Sequence, residues 1–147
     1  MVWTVPANRM NKVIHRVPLS ARAIEILKSQ RRRHPEGELV FPSPRGLVLS
    51  DMVLTGFLRD QTAPSSDKGR VATAHGFRSS FRDWASENGY SRDLAERALA
   101  HTINNQAEAA YHRTDLLDQR RTMMEAWAHL VVGLGTSSRV VPLRGRA

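Results

Sequence analysis

Short runs rich in β-branched residues, Val2-Trp3-Thr4-Val5 and Ile14-His15-Arg16-Val17, flank a polar stretch at residues 6–13. This pattern predicts two short strands joined by a loop, a small antiparallel sheet. From Ser20 the period changes. Ala23, Ile24 and Leu27 recur at helical spacing behind a serine suited to capping, and His34-Pro35 stops the segment. Leu39-Val40-Phe41 is a short apolar run and predicts a third strand. Ser50-Asp51 opens a second helix carrying Met52, Val53, Phe57 and Leu58, followed by a loop at residues 62–70 with Pro64, Ser65, Ser66 and Gly69. From Thr73 the pattern is helical to about Val132, broken near Gly89 and again at residues 102–105. Phe77, Phe81 and Trp84 follow helical spacing and read as core, as do Leu116-Leu117, Met123-Met124, Trp127 and Leu130-Val131. The predicted fold is α+β and mainly α: one helical domain over residues 1–132 with a small antiparallel sheet at its N-terminal end. Residues 133–147, with Gly133, Gly135, Ser137, Ser138 and Pro142, are expected to form a flexible tail.

Composition narrows the function classes. The chain has 147 residues, 41% of them hydrophobic, which is enough for a packed core. It has no cysteine, so a disulfide framework, a thiol nucleophile and a Cys-ligated metal are excluded. Its six histidines show no compact HxxxH or HExxH spacing, and no metal is expected. No apolar run approaches the roughly 18 residues of a membrane span, and the N-terminus has no secretory pattern, so a cytoplasmic protein without membrane contact is expected. The net charge of +8 favours a polyanion. Nine of the 22 basic residues but three of the 14 acidic ones lie in residues 1–50. Arg31-Arg32-Arg33 reads either as phosphate contacts or as a solvated helix end that suits the C-terminal dipole.

The chemistry-bearing residues are concentrated in the helical half: His75-Gly76-Phe77-Arg78, then His101, then Tyr111 beside His112 and Arg113. Singly, each has a plain structural reading, the histidines as hydrogen-bonded side chains and Tyr111 as a packed ring. Together they suggest phosphoryl transfer. A phosphodiester under attack develops charge on its nonbridging oxygens, which a permanently charged, planar Arg and further donors can meet. His75 and Arg78, three apart on a helix, lie on the same side. A tyrosine phenol can form a covalent phosphoester that divides one displacement into two.

These segments, with Val17-Pro18-Leu19-Ser20, Thr73-Ala74-His75-Gly76-Phe77-Arg78-Ser79-Ser80-Phe81-Arg82-Asp83-Trp84-Ala85, Leu99-Ala100-His101, Ala109-Ala110-Tyr111-His112-Arg113-Thr114-Asp115 and Arg120-Arg121 through Trp127, resemble the C-terminal catalytic domain of tyrosine recombinases of the bacteriophage integrase type. The resemblance covers nearly the whole chain. It implies site-specific cleavage and rejoining of double-stranded DNA through a 3′-phosphotyrosine at Tyr111, with neither metal, ATP nor other cofactor. By the same resemblance Arg78 is the second of two phosphate-binding arginines, His75 its companion donor or proton acceptor, and His101 the third-position histidine. Lys12 is similar to the hairpin lysine that protonates the leaving oxygen; without the resemblance it reads as a loop charge. The C-terminal segment is expected to support self-association on DNA. The family's first catalytic Arg and its core-binding domain precede the strand that starts near Val2, so the resemblance implies a truncated catalytic domain with weak or no turnover alone. The alternatives are a non-catalytic DNA-binding or assembly module and a prophage remnant.

Overall fold

A computed structural model describes residues 1–9, 13–65, 68–101 and 115–133. Two antiparallel strands, β1 (Val2–Val5) and β2 (His15–Pro18), pair in the register Val2↔Pro18, Trp3↔Val17, Thr4↔Arg16 and Val5↔His15. A single 3-10 turn, Ala7–Arg9, follows β1. The expected sheet is present, shifted by one residue in its second strand.

Helix α1 (Ala21–Arg33) begins at Ser20, whose hydroxyl accepts from the Ala23 N–H at 3.2 Å, and ends before His34-Pro35 as the pattern predicts. Its last turn carries Arg31, Arg32 and Arg33, where positive charge complements the helix dipole. Arg31 donates to the Gly37 carbonyl at 2.7 Å.

The third strand does not form. Pro42 and Val48 make one isolated bridge across a turn containing Pro44 and Gly46, and residues 39–41 pair with nothing among the described residues. Proline at position 42 has no N–H for a ladder, and the turn at Gly46 (φ 75°) brings back too little chain to pair further. Helix α2 (Val53–Asp60) follows, with Ser50 Oγ accepting from the Met52 N–H at 3.2 Å just ahead of it. Of its apolar residues only Leu58 is buried; Val53, Leu54 and Phe57 are exposed.

The core lies among α3 (Gly76–Glu87), α4 (Arg92–Ala98) and α5 (Leu117–Val131). Phe81 and Ala85 from α3, Leu94 and Ala95 from α4, and Met123 from α5 are buried, ringed by Trp84, Tyr90, Leu99, Leu116, Met124 and Trp127. Trp127 meets Phe81 edge-on at 5.4 Å and Trp84 at 5.1 Å, and Trp84 also meets Tyr90 at 5.3 Å, so four aromatic rings staple α3 to α5. Phe77 departs from the expected core: it is 55% exposed, because the helices packed on α3 cover its later turns and leave the first one open. Leu130 and Val131 are likewise exposed at the far end of α5.

Helices α3 and α4 end alike but with different residues. After α3, Gly89 takes φ 75° while Tyr90 N–H reaches back to the Ala85 carbonyl at 2.9 Å and Gly89 N–H to Ser86 at 3.2 Å. After α4, Ala100 takes φ 54°, His101 N–H bonds the Glu96 carbonyl at 3.0 Å and Ala100 N–H bonds Arg97 at 3.2 Å. Both are Schellman ends. Alanine in the left-handed region costs about 1 kcal/mol that glycine would not. The second turn is therefore held by its surroundings, and those surroundings contain the candidate site.

Candidate functional site

The start of α3 is set by Thr73, whose hydroxyl accepts from the Gly76 N–H at 3.0 Å. His75 precedes the helix and is exposed, and its carbonyl accepts the Arg78 N–H at 3.0 Å. His75 and Arg78 thus share the opening turn, as their spacing predicts. Arg78 is partly buried, and its Nη2 donates to the Leu99 carbonyl at 2.7 Å. This bond joins the first turn of α3 to the end of α4, two residues before His101. Nε and Nη1 of Arg78 make no hydrogen bond among the described residues.

The α4 terminus has further polar neighbours. His15 of β2 lies beside the Ala98 carbonyl, adjacent to the Leu99 carbonyl that Arg78 meets. A helix C-terminus carries partial negative charge and favours a cation such as Arg78. His101 is held by Glu96 twice: through the backbone bond already described and through a close contact of Nδ1 with Oε2. The other carboxylate oxygen of Glu96 pairs with Arg82 Nη2 at 3.0 Å and, more loosely, with Arg92 Nε at 3.9 Å.

A second polar cluster joins β2 to α5. Arg16 grips Asp115 with two bonds, Nε to Oδ2 at 2.7 Å and Nη2 to Oδ1 at 2.8 Å. Arg120, 1% exposed, donates from Nη2 to the Arg16 carbonyl at 2.5 Å and from Nη1 to the Asp115 carbonyl at 3.2 Å. Burial pushes the Asp115 carboxyl up, but the hydrogen bonds from Arg16 and the charges of Arg16 and Arg120 outweigh it and hold the group below its usual range. Alongside, Glu125 Oε2 accepts from the Ala21 N–H at 2.9 Å and ties α1 to α5.

His15 lies between the two clusters. Burial first, and then the nearby charge of Arg120, hold its imidazole below the ordinary histidine value, against the opposing pull of Asp115 and of the nearby Ala98 carbonyl. The unfolded chain therefore binds this proton more tightly than the folded one. Stability is expected to be fully present above about pH 6.5 and to fall as the pH drops from there through the folded value. Denaturant midpoints of wild type and His15→Gln across pH 5–8 test this: the difference between them should change below about pH 6.5, and a constant difference would refute it.

Of the five site residues expected from sequence, the structure brings three into one neighbourhood: His75, Arg78 and His101, at the junction of α3 and α4. Lys12 and Tyr111 lie outside the described residues, as do the expected interruption at residues 102–105 and the expected tail beyond Gly133. Glu96, Asp115 and His15 were not singled out by the sequence. Glu96 carries one legible signal, its place one helical turn after Arg92, whereas the Arg16–Asp115 contact spans 99 positions and leaves no local trace.

Comparison with known proteins gives a consistent picture. The phage integrase family matches residues 1–116. The prophage integrase IntA of Escherichia coli strain K12 is 36% identical over 143 residues, covering 95% of this chain and 33% of the relative. The integrase of Enterobacteria phage P4 is 33% identical over 144 residues, covering 86% of this chain and 32% of the relative, and that of Shigella phage Sf6 is 30% identical over 137 residues, covering 86% and 33%. No solved structure matches. The chain spans about a third of the length of these relatives. No helix among the described residues is long and apolar enough to cross a membrane. With a family match over residues 1–116 and a prophage integrase 36% identical over 95% of its length, the chain belongs to the phage integrase family.

Proposed function

We propose that the chain cleaves and rejoins double-stranded DNA at a specific site through a covalent 3′-phosphotyrosine on Tyr111. The observation that carries this reading is the bond from Arg78 to the Leu99 carbonyl, which sets a permanent cation beside the segment leading to His101. In the proposed reaction Tyr111 Oη attacks the scissile phosphorus, a bond to the 5′-oxygen breaks, and Lys12 protonates that oxygen as it leaves. Arg78 and His101 stabilise the charge on the nonbridging oxygens, and His75 acts as a further donor or takes the phenol proton. A second 5′-hydroxyl reverses the step on a new partner strand. The energy of the broken bond is kept in the phosphotyrosine, so neither ATP nor a metal is required. The exposed Leu130 and Val131 supply an apolar end of α5 for self-association on DNA. With one of the family's two phosphate arginines within these residues, turnover by the 147-residue chain alone is expected to be weak or absent.

A nicked suicide duplex carrying the core site, read from the genomic junctions of the element, tests the reading. A protein–DNA adduct that survives denaturant is expected to form with the chain or with the chain joined to its upstream segment, and to disappear in Tyr111→Phe. DNA affinity should be almost unchanged by that substitution and should fall steeply with added salt as phosphate contacts release counterions. An adduct that persists in Tyr111→Phe, or affinity indifferent to salt, would overturn the proposal.

A further inference from the structure

We propose that Glu96 is a positioning residue for His101, fixing a proton on Nδ1 so that Nε2 is the nitrogen presented to the reacting phosphate. The inference rests on the reading of His101 as a group of the strand-cleaving site. Its basis is the two-point hold of Glu96 on His101, by main chain and by carboxylate. The main-chain bond closes the Schellman turn and fixes where the His101 backbone leaves α4. The carboxylate contact fixes the ring.

A carboxylate only accepts hydrogen bonds, so the imidazole nitrogen facing it must carry the hydrogen. This is so whether the ring is neutral or charged, and the nitrogen free to gain a proton or donate to an oxygen is then Nε2. Exposure agrees with that division of labour. The Glu96 side chain is 16% exposed, shielded between α3 and its own helix, whereas that of His101 is 40% exposed and keeps an open edge. The carboxylate is itself oriented, because Arg82 holds Oε1 at 3.0 Å while Oε2 faces His101. Arg82 stands one helical turn after Arg78 on α3. The same helix therefore presents one arginine at the α4 terminus and uses the next to aim the residue that aims His101.

The arrangement makes a sharp expectation for Glu96→Gln. A glutamine side chain has one oxygen, and Arg82 will claim it, since an amide NH2 pointed at a guanidinium would set donor against donor. The NH2 is then turned to His101 and donates to Nδ1, which moves the ring proton to Nε2. Shape is retained and the tautomer is reversed, the kind of change that disables a histidine oriented by a carboxylate without displacing it.

Long-range nitrogen–proton NMR spectra of the 147-residue chain, taken at a pH where the His101 nitrogen shifts are those of a neutral ring, read the tautomer without requiring any catalysis. His101, assigned by its loss in His101→Gln, should carry its proton on Nδ1 in the wild type and on Nε2 in Glu96→Gln. A wild-type His101 protonated on Nε2 overturns the proposal, and this result does not depend on the variant folding. In the adduct assay Glu96→Gln should lower the rate of adduct formation by about tenfold or more while leaving DNA affinity unchanged. An unchanged rate alongside a reversed tautomer also overturns it. A wild-type Nδ1 proton with no Tyr111 adduct at any chain length would sustain the Glu96–His101 pairing and sink the strand-cleavage reading instead.

Discussion

Arg78→Ala will slow formation of the covalent protein–DNA adduct by about 10²–10³-fold, the loss expected when one preorganised donor to a developing oxyanion is removed, or about 2.7–4 kcal/mol of transition-state stabilisation. Affinity for the duplex should hardly move, because Arg78 would be one phosphate contact among several, and the dependence of log affinity on log salt should become shallower by about one contact's worth. The more informative variant is Arg78→Lys. In the structure the guanidinium already spends Nη2 on the Leu99 carbonyl, and in the proposed reaction its planar fork would engage a phosphate through its other nitrogens at the same time. A lysine has a compact point charge at the end of one stem and can serve either the carbonyl or the phosphate. It should therefore bind DNA like wild type and recover only part of the lost rate. Single-turnover adduct formation, measured in whichever length of the protein gives a detectable adduct, separates the two substitutions. Full activity in Arg78→Lys would mean that charge alone is required and that the tie to Leu99 has no part in the chemistry.

Much of this neighbourhood was legible in the sequence because its parts are local. The capping of α1 by Ser20, the shared turn of His75 and Arg78, and the helical register of Phe81 and Trp84 follow from a spacing of three residues, which a single helix fixes without reference to the rest of the fold. The errors have the same origin. Residues 39–41 have the apolar character of a strand, but a strand exists only through a partner, and the turn at Pro44 and Gly46 returns the chain for one bridge. Phe77 lies on the correct stripe of α3 and is exposed, because which turns of a stripe are covered depends on where the neighbouring helices end. The polar framework was illegible for a stronger reason. Arg16 meets Asp115 across 99 positions and Arg120 meets the Arg16 carbonyl across 104, and nothing in either local sequence announces the other. Ala100 is the reverse case: a local residue type, alanine, argues against the left-handed turn it adopts, and the contacts of Arg78 and Glu96 around the α4 terminus override that preference.

Arg120→Ala is expected to be among the most destabilising single substitutions in the chain, costing about 3–5 kcal/mol, from two part-buried carbonyls left without a donor together with the cavity the side chain vacates. Arg120 is 1% exposed, and its two terminal nitrogens satisfy the Arg16 and Asp115 carbonyls, which belong to segments that meet only in the folded state. Alanine would orphan both carbonyls, remove a cation beside the Asp115 carboxylate and leave a cavity. Arg120→Met divides these effects. It refills most of the volume and relieves the desolvated charge, but still orphans the carbonyls, so its cost should be smaller, about 1–3 kcal/mol. The Nε of Arg120 has no hydrogen-bond partner among the described residues, so part of the native side chain's burial is itself unfavourable, and methionine removes that part. The expected order of urea midpoints is therefore wild type, then Met, then Ala. A methionine variant as stable as wild type would mean that desolvation of the guanidinium cancels what its hydrogen bonds contribute. The consequence for function follows from position. The sequence from His101 to Asp115, with Tyr111 in it, is fixed at its two described ends, by Glu96 at one and by Arg16 with Arg120 at the other. If placement of the proposed nucleophile depends on the second anchor, Arg120→Met should slow adduct formation at temperatures well below its melting transition, where the chain remains folded, and restoring stability with an osmolyte should not restore the rate.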